Sequence, residues 1–356
     1  MSNITISEKD LQSFCRDLLK QSLPDEEAKV IAETLVDADL RGVTSHGVQR
    51  VAGYLKRMEA GIIERKTNIS VVQESFATAL LDANNGWGQV AGVKAMDMAI
   101  QKAAQYGTSF VGVSNSNHFG TASFYTRMAA ERGFIGISMT NASPIMVPFG
   151  AKEPSLGPNP ISISIPAGEG QKPIILDMST SNVARGKIMV AKKNKDSIPE
   201  GWAITKDGKQ TTDADEAWEG FVLPMGPKGS GLAIIIDILS GVLTGSLFGK
   251  RIPRQYDDPY PQQLGHLFGA INIENFGDPE LFYQHVSEKI EETISSEPSE
   301  GFDQVYMPGD MESQRKKEYK ENGIPISQEI INELRKTGEK YGIDLEHYLS
   351  QNKQSN

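Results

Sequence analysis

The stretch at residues 109–144 constrains the fold most, because its pattern changes from strand to turn, to helix and to strand again. Residues 109–114 mix β-branched, aromatic and small side chains in a run short enough for one buried strand. Helical spacing begins at Thr121 and ends near Gly133, where a glycine following a helix is expected, and a second apolar run occupies 134–139. The stretch therefore predicts an α/β fold in which ligands bind where strands end.

His118 lies in the polar turn between the first of these strands and the helix. An imidazole can exchange a proton near neutral pH, and α/β proteins commonly bind ligands at such turns. A histidine that caps a helix or fills a polar loop would give the same pattern. His118 is therefore a candidate catalytic residue, and the case for chemistry depends on the other residues that converge on it.

The composition excludes some classes of function. Acidic residues outnumber basic ones, 46 against 36, and the net charge of −10 argues against a nucleic-acid-binding surface. Cys15 is the single cysteine, so no disulfide can form within the chain and no cysteine cluster can hold zinc. Its helical spacing from Leu11, Phe14 and Leu18 predicts a buried structural thiol.

The sequence has no pattern of an export or membrane segment. The N-terminal residues lack the charged and apolar regions of a signal peptide. The longest apolar run, 232–243, is interrupted by Asp237 and is too short to span a bilayer. We therefore expect a cytoplasmic protein.

A second group of polar residues surrounds a helix predicted at about 48–61. His46, Arg50, Tyr54 and Arg57 recur at helical spacing and share a face. Such a stripe is either the solvated side of the helix or a substrate-binding surface. In the second case Arg50 could bind a carboxylate through two parallel hydrogen bonds, while Ser45, His46 and Tyr54 supply neutral partners.

Glycine-rich segments give two further hypotheses. The glycines at 86, 88 and 92 stand between a strand and a helix, but their spacing differs from the dinucleotide fingerprint, and tight turning and close packing explain them as well. The segment Gly-Pro-Lys-Gly-Ser-Gly at 226–231 precedes an apolar helix predicted at 232–245. Backbone N–H groups and Lys228 would form a phosphate-binding site there.

Four separated motifs resemble those of the malate/L-lactate/sulfolactate dehydrogenase family. They are AD-x-RG-x-x-SHG at 38–47, NH-x-G at 117–120, GPNP at 157–160 and GPKGSG at 226–231. The resemblance extends from the first helix to about Asp310. It implies NAD(P)-dependent oxidation of a 2-hydroxy acid on a mixed-sheet, non-Rossmann α/β core, usually in a homodimer. It also argues against a dinucleotide loop at 86–92.

The same resemblance implies roles for individual residues. His118 would be the proton acceptor. The substrate-binding residues would be Ser45, His46, Arg50 and Tyr54. The cofactor-binding residues would be Ala142, Asp177, Met178, Ser179, Lys228, Gly309, Asp310 and Met311. Asp177 follows a predicted strand, where its carboxylate suits either a nucleotide ribose or the N-cap of the next helix.

Further segments resemble the members of the family that oxidise ureidoglycolate. They are SIP-x-x-WA at 197–203, LSGVL-x-G at 239–245, YDD at 256–258 and GF-x-QVY-x-PG at 301–309. This implies oxidation of (S)-ureidoglycolate to oxalurate in allantoin degradation with NAD, or with NADP. Malate, L-lactate and sulfolactate are the alternative substrates. Those members would have a cation near the position of Gln262.

The organisation expected from these patterns is an α/β core at 69–310 and a helical domain at 1–68 that the C-terminal helices at 311–356 join. Residues 302–306 are predicted to form a strand, and 346–356 to fray. A zinc hydrolase using His46, His118 and either Asp82 or Asp177 is a remote alternative, because no HExxH motif supports it. A non-catalytic sugar- or nucleotide-binding protein is the other.

Overall fold

The computed structural model describes residues 3–168, 170–255 and 259–351. The motif at 256–258 and residues 352–356 of the end expected to fray lie outside the described residues. The helices are α1 Glu8–Leu19, α2 Asp25–Leu40, α3 Val51–Glu59, α4 Gly88–Tyr106, α5 Ala122–Ala130, α6 Arg185–Asn194, α7 Ala214–Glu219, α8 Gly226–Asp237, α9 Pro279–Ile294, α10 Asp310–Asn322, α11 Gln328–Tyr341 and α12 Leu345–Gln351. The strands are β1 Asn3–Ile6, β2 Ser70–Glu74, β3 Thr78–Asp82, β4 Thr108–Ser116, β5 Phe134–Thr140, β6 Ile161–Ile165, β7 Ile174–Met178, β8 Ala203–Ile204, β9 Gln210–Thr211, β10 Phe221–Val222, β11 Leu264–Asn272 and β12 Ile324–Ser327.

The centre of the fold is a seven-stranded sheet with the order β2-β3-β4-β11-β5-β6-β7. Only β3 and β4 pair in parallel within it, and the other neighbours are antiparallel. The predicted mixed-sheet α/β class is therefore confirmed. The order differs from that of the doubly wound parallel sheet of a Rossmann fold.

One edge of this sheet collects the segments that carry the candidate site. Strand β4 ends at Ser116, opposite the start of β11 at Leu264. Strand β5 ends at Thr140, one residue beyond the pair that Met139 forms with Ile161 at the start of β6. Ile161 in turn pairs with Met178 at the end of β7. The residues after β4, β5 and β7, and those before β11 and β6, therefore leave the sheet along the same edge.

Helices α4 and α5 pack on one face of the sheet and bury its apolar core. A Cβ on Gly88 would lie 2.1 Å from Asn117 O, and one on Gly92 would lie 2.6 Å from the ring of Tyr125. Both glycines are required by close packing, which agrees with the packing interpretation of the 86–92 segment.

A separate apolar cluster joins the N-terminal helices to elements near the C-terminus. Side chains of α1, α2 and α3 pack with those of β12, α11 and α12. Cys15 lies inside this cluster, as predicted, and burial raises the pKa of its thiol. The cluster supports the proposed helical domain of 1–68 and 311–356, which remains a proposal.

Three details differ from the sequence-based expectations. Residues 302–306 form no strand: they are largely exposed, and no strand of the described part of the chain pairs with them. Strands β1 and β12 pair with each other and were not predicted. The segment at 226–231 is not a loop before a helix but the first turns of α8, with a proline near the helix start, where its missing N–H costs nothing.

Among the described residues, no helix combines the length and the apolar character that crossing a bilayer requires.

Candidate active site

A cavity of about 1070 Å³ runs along the sheet edge described above. His118, which follows β4, lines one part of it, and Asp177, Met178 and Ser179 at the end of β7 line another. Gln262 before β11, Leu264 at its start and Ala142 after β5 also line the cavity, and their strands lie between β4 and β7 in the sheet. His118 and the residues at the end of β7 thus mark the two ends of this series of lining residues.

The position of His118 is fixed by its neighbours in the chain. Asn117 Nδ2 donates to the backbone oxygens of Asn85 and Gly86, at 3.1 and 2.9 Å, which anchors the turn before it. Nδ1 of His118 lies 2.6 Å from the hydroxyl of Tyr54, on α3. The backbone N–H of Gly120 approaches the same nitrogen at the longer distance of 3.3 Å. Nε2 is thus the ring nitrogen that remains for a ligand.

The surroundings of His118 keep its ring neutral. Its removal from bulk water lowers the pKa of the imidazole well below the usual 6.5, and the positive charge of Arg50 lowers it further. The imidazoles of His46 and His266 act in the same direction. A neutral imidazole at physiological pH can accept a proton, so the site provides a general base.

His46 and Arg50 reach the same cavity from two 3₁₀ turns, Thr44–His46 and Val48–Arg50, and not from the regular helix that was predicted there. The rings of His46 and His118 stack with their centroids 5.3 Å apart. Ser45 Oγ lies 2.9 Å from His46 Nδ1, and Arg50 Nε donates to Ser45 O at 2.7 Å. Burial, followed by the charge of Arg50, lowers the pKa of His46 to about 3.

Asp39 holds these turns in place, a role that the sequence did not predict. It is 2% exposed, and its Oδ2 accepts the backbone N–H of Val48 at 2.7 Å. A Cβ on Gly47 would lie 2.0 Å from Oδ1, so the carboxylate occupies the space that any other residue would need. Burial raises the pKa of Asp39 to about 7. The one sequence signal was its place in the 38–47 motif.

Two residues of the predicted helix face do not face the cavity. Tyr54 is 2% exposed and does not line the cavity. Its hydroxyl hydrogen-bonds Nδ1 of His118, so its contact in this structure is with the imidazole. The guanidinium of Arg57 donates to the backbone oxygens of Gln255 and Tyr260. Of the predicted substrate-binding residues, Ser45, His46 and Arg50 line the cavity.

Five of the predicted cofactor-binding residues line the cavity: Ala142, Asp177, Met178, Ser179 and Gly309. Asp177 Oδ2 accepts the backbone N–H of Ser123 at 3.0 Å. The carboxylate therefore caps the first turn of α5 and not the helix that follows it in sequence, which corrects the capping alternative.

The other three predicted cofactor-binding residues lie outside the cavity wall. Lys228 is exposed in the first turn of α8. Asp310 Oδ2 accepts the backbone N–H of Met307 at 2.8 Å at the start of α10, and Met311 is 48% exposed. Their contacts with a cofactor stay predictions.

The cavity wall also contains residues that the sequence patterns did not indicate. Arg185 opens α6, and its guanidinium stacks on the ring of Trp218 at 4.7 Å. Arg41 and Arg254 line the cavity as well. Arg41 belongs to the 38–47 motif, and Arg254 had no signal.

Within the part of the chain that the structure describes, no three His, Cys, Asp or Glu side chains come together in a way that could hold a metal ion. The neighbours of the paired imidazoles are instead a hydroxyl and a guanidinium, which suit an organic anion.

Comparisons with known proteins agree with this geometry. The sequence profile of the malate/L-lactate dehydrogenase family matches residues 6–335. The L-sulfolactate dehydrogenase of Methanocaldococcus jannaschii is 42% identical over 335 residues, which cover 94% of this chain and 96% of that protein. The malate dehydrogenase of Pyrococcus abyssi is 40% identical over 350 residues, 96% of each protein. The ureidoglycolate dehydrogenase (NAD(+)) of Escherichia coli is 39% identical over 331 residues, 92% of this chain and 94% of that protein.

A solved structure extends the similarity to three dimensions. The sulfolactate dehydrogenase from Methanocaldococcus jannaschii superposes with a TM-score of 0.91 at 41% identity, over 97% of this chain and 100% of that chain.

Proposed function

Because the chain belongs to the malate/L-lactate dehydrogenase family, we propose that it oxidises a 2-hydroxy acid to the 2-oxo acid with NAD(P). It is an oxidoreductase that acts on the CH–OH group of a hydroxy acid. The single observation that supports the proposed mechanism most is the presence of neutral His118 and cationic Arg50 in one cavity. A base and a carboxylate-binding group are the two functions that this reaction needs from side chains.

The cavity fits a nicotinamide dinucleotide beside a small acid. Its volume of about 1070 Å³ lies just above the range of roughly 300–1,000 Å³ common for small-molecule sites. Asp177 and Ser179 offer a carboxylate and a hydroxyl of the kind that bind ribose hydroxyls. Gly309 has a φ of +90°, and a Cβ there would lie 2.9 Å from Ile175, so only a glycine keeps the backbone this close to the wall.

We propose that His118 removes the proton of the C2 hydroxyl at Nε2. In the free site Nδ1 accepts the N–H of Gly120 at 3.3 Å. Proton acceptance at Nε2 uses the other neutral tautomer, in which Nδ1 carries the hydrogen and donates it to Tyr54 Oη, 2.6 Å away. Once Nε2 is protonated, the same hydrogen bond stabilises the imidazolium. The nicotinamide, when bound, supplies the acceptor for the hydride that leaves C2.

Arg50 binds the substrate carboxylate in this proposal. Its Nε donation to Ser45 O orients the plane of the guanidinium against the 3₁₀ turn. His46, held by Ser45 and stacked on His118, is neutral and adds a hydrogen-bonding group without competing for the proton.

We propose (S)-ureidoglycolate as the substrate, oxidised to oxalurate with NAD in allantoin degradation, with malate, L-lactate and sulfolactate as alternatives and NADP as the alternative cofactor. The 39% identity with a ureidoglycolate dehydrogenase supports the first, and identities of 42% and 40% support sulfolactate and malate. A homodimer is proposed as well, supported by the exposed aliphatic side chains Ile235 on α8 and Leu243 after it.

The test is a panel of these hydroxy acids with NAD⁺ and with NADP⁺, followed by the absorbance of the reduced nicotinamide. We expect turnover of at least one acid with one cofactor, and ureidoglycolate with NAD⁺ to give the highest kcat/KM. Failure of every combination, in both the oxidative and the reductive direction, would contradict the proposed function.

Arg50→Ala should lower kcat/KM for the acid by roughly 10- to 150-fold, the range given by loss of a hydrogen bond to a charged group. The effect should appear mainly in KM, because carboxylate binding is common to the ground state and the transition state. Arg50→Lys should recover only part, since it keeps the charge and loses the bidentate geometry. Arg65→Ala, at an exposed arginine, is the matched control and should leave both constants unchanged.

A further inference from the structure

Gln262 and His118 adjoin neighbouring strands at the same edge of the sheet. Leu264 pairs with Ser116 across the antiparallel strands β11 and β4. Gln262 precedes Leu264 by two residues, and His118 follows Ser116 by two. Both side chains therefore leave the sheet from neighbouring strands at the same edge, and both line the cavity.

Hydrogen bonds determine the orientation of the Gln262 amide. Ser143 Oγ donates its single hydrogen to Pro253 O at 2.7 Å, so it can only accept from other groups. Gln262 Nε2 lies 3.2 Å from Ser143 Oγ and donates to it. The NH₂ group must therefore face Ser143, and the carbonyl oxygen Oε1 faces away from it.

That oxygen has no partner of its own. Gln262 is 3% exposed, and its Oε1 is buried without a hydrogen bond to any of residues 3–168, 170–255 and 259–351. Buried side-chain oxygens are nearly always hydrogen-bonded, because an unpaired one loses its hydrogen bonds to water and gains none in the protein. An unpaired acceptor in the wall of a ligand cavity indicates that the donor arrives with the ligand.

We propose that Gln262 Oε1 accepts a hydrogen bond from the substituent on C2 of the substrate, so that the site selects hydroxy acids whose substituent carries an N–H or O–H donor. This inference rests on the proposed function. A ureido or carboxamide group satisfies the oxygen. A second carboxylate or a sulfonate offers only acceptors and brings negative charge against the carbonyl.

Two other groups compete with this assignment. Arg254 lines the same cavity, and a guanidinium suits a second anionic group on the substrate. The carboxamide of a nicotinamide also carries N–H donors. Gln262 adjoins the strand next to the one that ends before His118, the residue that acts at C2, and this placement favours the substrate. The experiment separates the three possibilities.

The experiment compares L-malate with its C4 amide, which differ only in a carboxylate and a carboxamide. We expect the wild-type protein to favour the amide in kcat/KM by about 5- to 150-fold, the range for a hydrogen bond to a buried acceptor. Gln262→Leu should bring the ratio near one, and Gln262→Lys should reverse it. Gln284→Leu, at an exposed glutamine of α9, should keep the wild-type ratio.

A wild-type preference for malate would assign selection to Arg254 and overturn the inference, and so would an unchanged ratio in Gln262→Leu. A raised Kd for NADH in Gln262→Leu with the ratio unchanged would assign the oxygen to the nicotinamide. If neither acid is turned over with either cofactor, the proposed function is what fails. Calorimetric titration of both acids into the protein with NADH then decides the role of Gln262 from the ratio of the two Kd values.

Discussion

His118→Ala is expected to lower kcat for hydroxy-acid oxidation by about 10²–10⁴, the contribution of a general base. The Kd for NADH should change little, because the imidazole contacts the reacting hydroxyl in the proposed mechanism and not the dinucleotide. Steady-state kinetics and a fluorescence titration with NADH measure the two quantities. Added imidazole should restore part of the rate if the lost function is proton transfer.

Two variants make this result specific. Tyr54→Phe keeps the ring against Trp87, whose centroid lies 5.9 Å away, but removes the hydroxyl that holds Nδ1. It should cost about tenfold in kcat, the effect of one hydrogen bond. His285→Ala, at an exposed histidine of α9, should have wild-type kinetics. A His118→Ala protein with wild-type kcat would remove the residue from the mechanism.

The pH profile tests the same base independently. Burial, followed by the charge of Arg50, holds the pKa of His118 well below 6.5. The base is then deprotonated throughout the neutral range, so kcat/KM for oxidation should stay on its plateau as the pH falls through 6.5 and should decline only in more acidic solution. Arg50→Ala should shift the acidic decline of kcat/KM to higher pH, because the positive charge that helps to lower the pKa of His118 is removed. An acid limb centred at 6.5 in the wild-type protein would contradict the assigned environment.

Local patterns predicted most of the regular elements. The stretch at 109–144 forms the predicted strand, helix and strand, as β4, α5 and β5, because short apolar runs and helical spacing are local signals. Strands β1 and β12 were missed because their pairing joins distant ends of the chain. The first turns of α8 were mistaken for a loop because glycine usually ends helices. A Cβ on Gly229 would lie 2.9 Å from Thr180 O, so tertiary packing requires glycine inside this helix.

The sequence predicted the parts of the candidate site in which a residue type indicates a particular chemistry, such as a histidine for proton transfer or an arginine for carboxylate binding. His118 and Arg50 were identified from their turn and helix positions together with the family resemblance, and the fold brings both to one cavity. The hydrogen bond between Tyr54 and His118 and the unpaired oxygen of Gln262 could not be predicted. Both depend on distances between segments remote in sequence, which residue spacing does not encode.

A buried ion cluster holds three helices around the site. Asp37 of α2 is 7% exposed and pairs with Arg41 at 3.2 Å, with Lys316 of α10 at 3.0 Å and with Arg127 of α5. Burial alone would raise the pKa of Asp37, but the charges of Arg127, Arg41 and Lys316 outweigh it and hold the pKa below its usual 3.8. One carboxylate thus compensates three cations, and one of these, Arg41, lines the cavity.

Asp37→Ala should lower the free energy of unfolding at pH 7 by about 3–5 kcal/mol, because it leaves buried cations without their counter-charge. The folded-state pKa of Asp37 is depressed, so its contribution is fully present above the unfolded-state pKa of about 3.9 and is lost as the pH falls through the folded-state value. The difference from the wild-type protein should therefore shrink in acid, as urea unfolding at pH 7 and near pH 3 would measure. Asp97→Ala removes an exposed partner of Arg132 and should cost at most about 1 kcal/mol. If Asp37→Ala were no more destabilising than Asp97→Ala, the cluster would not hold the three helices together.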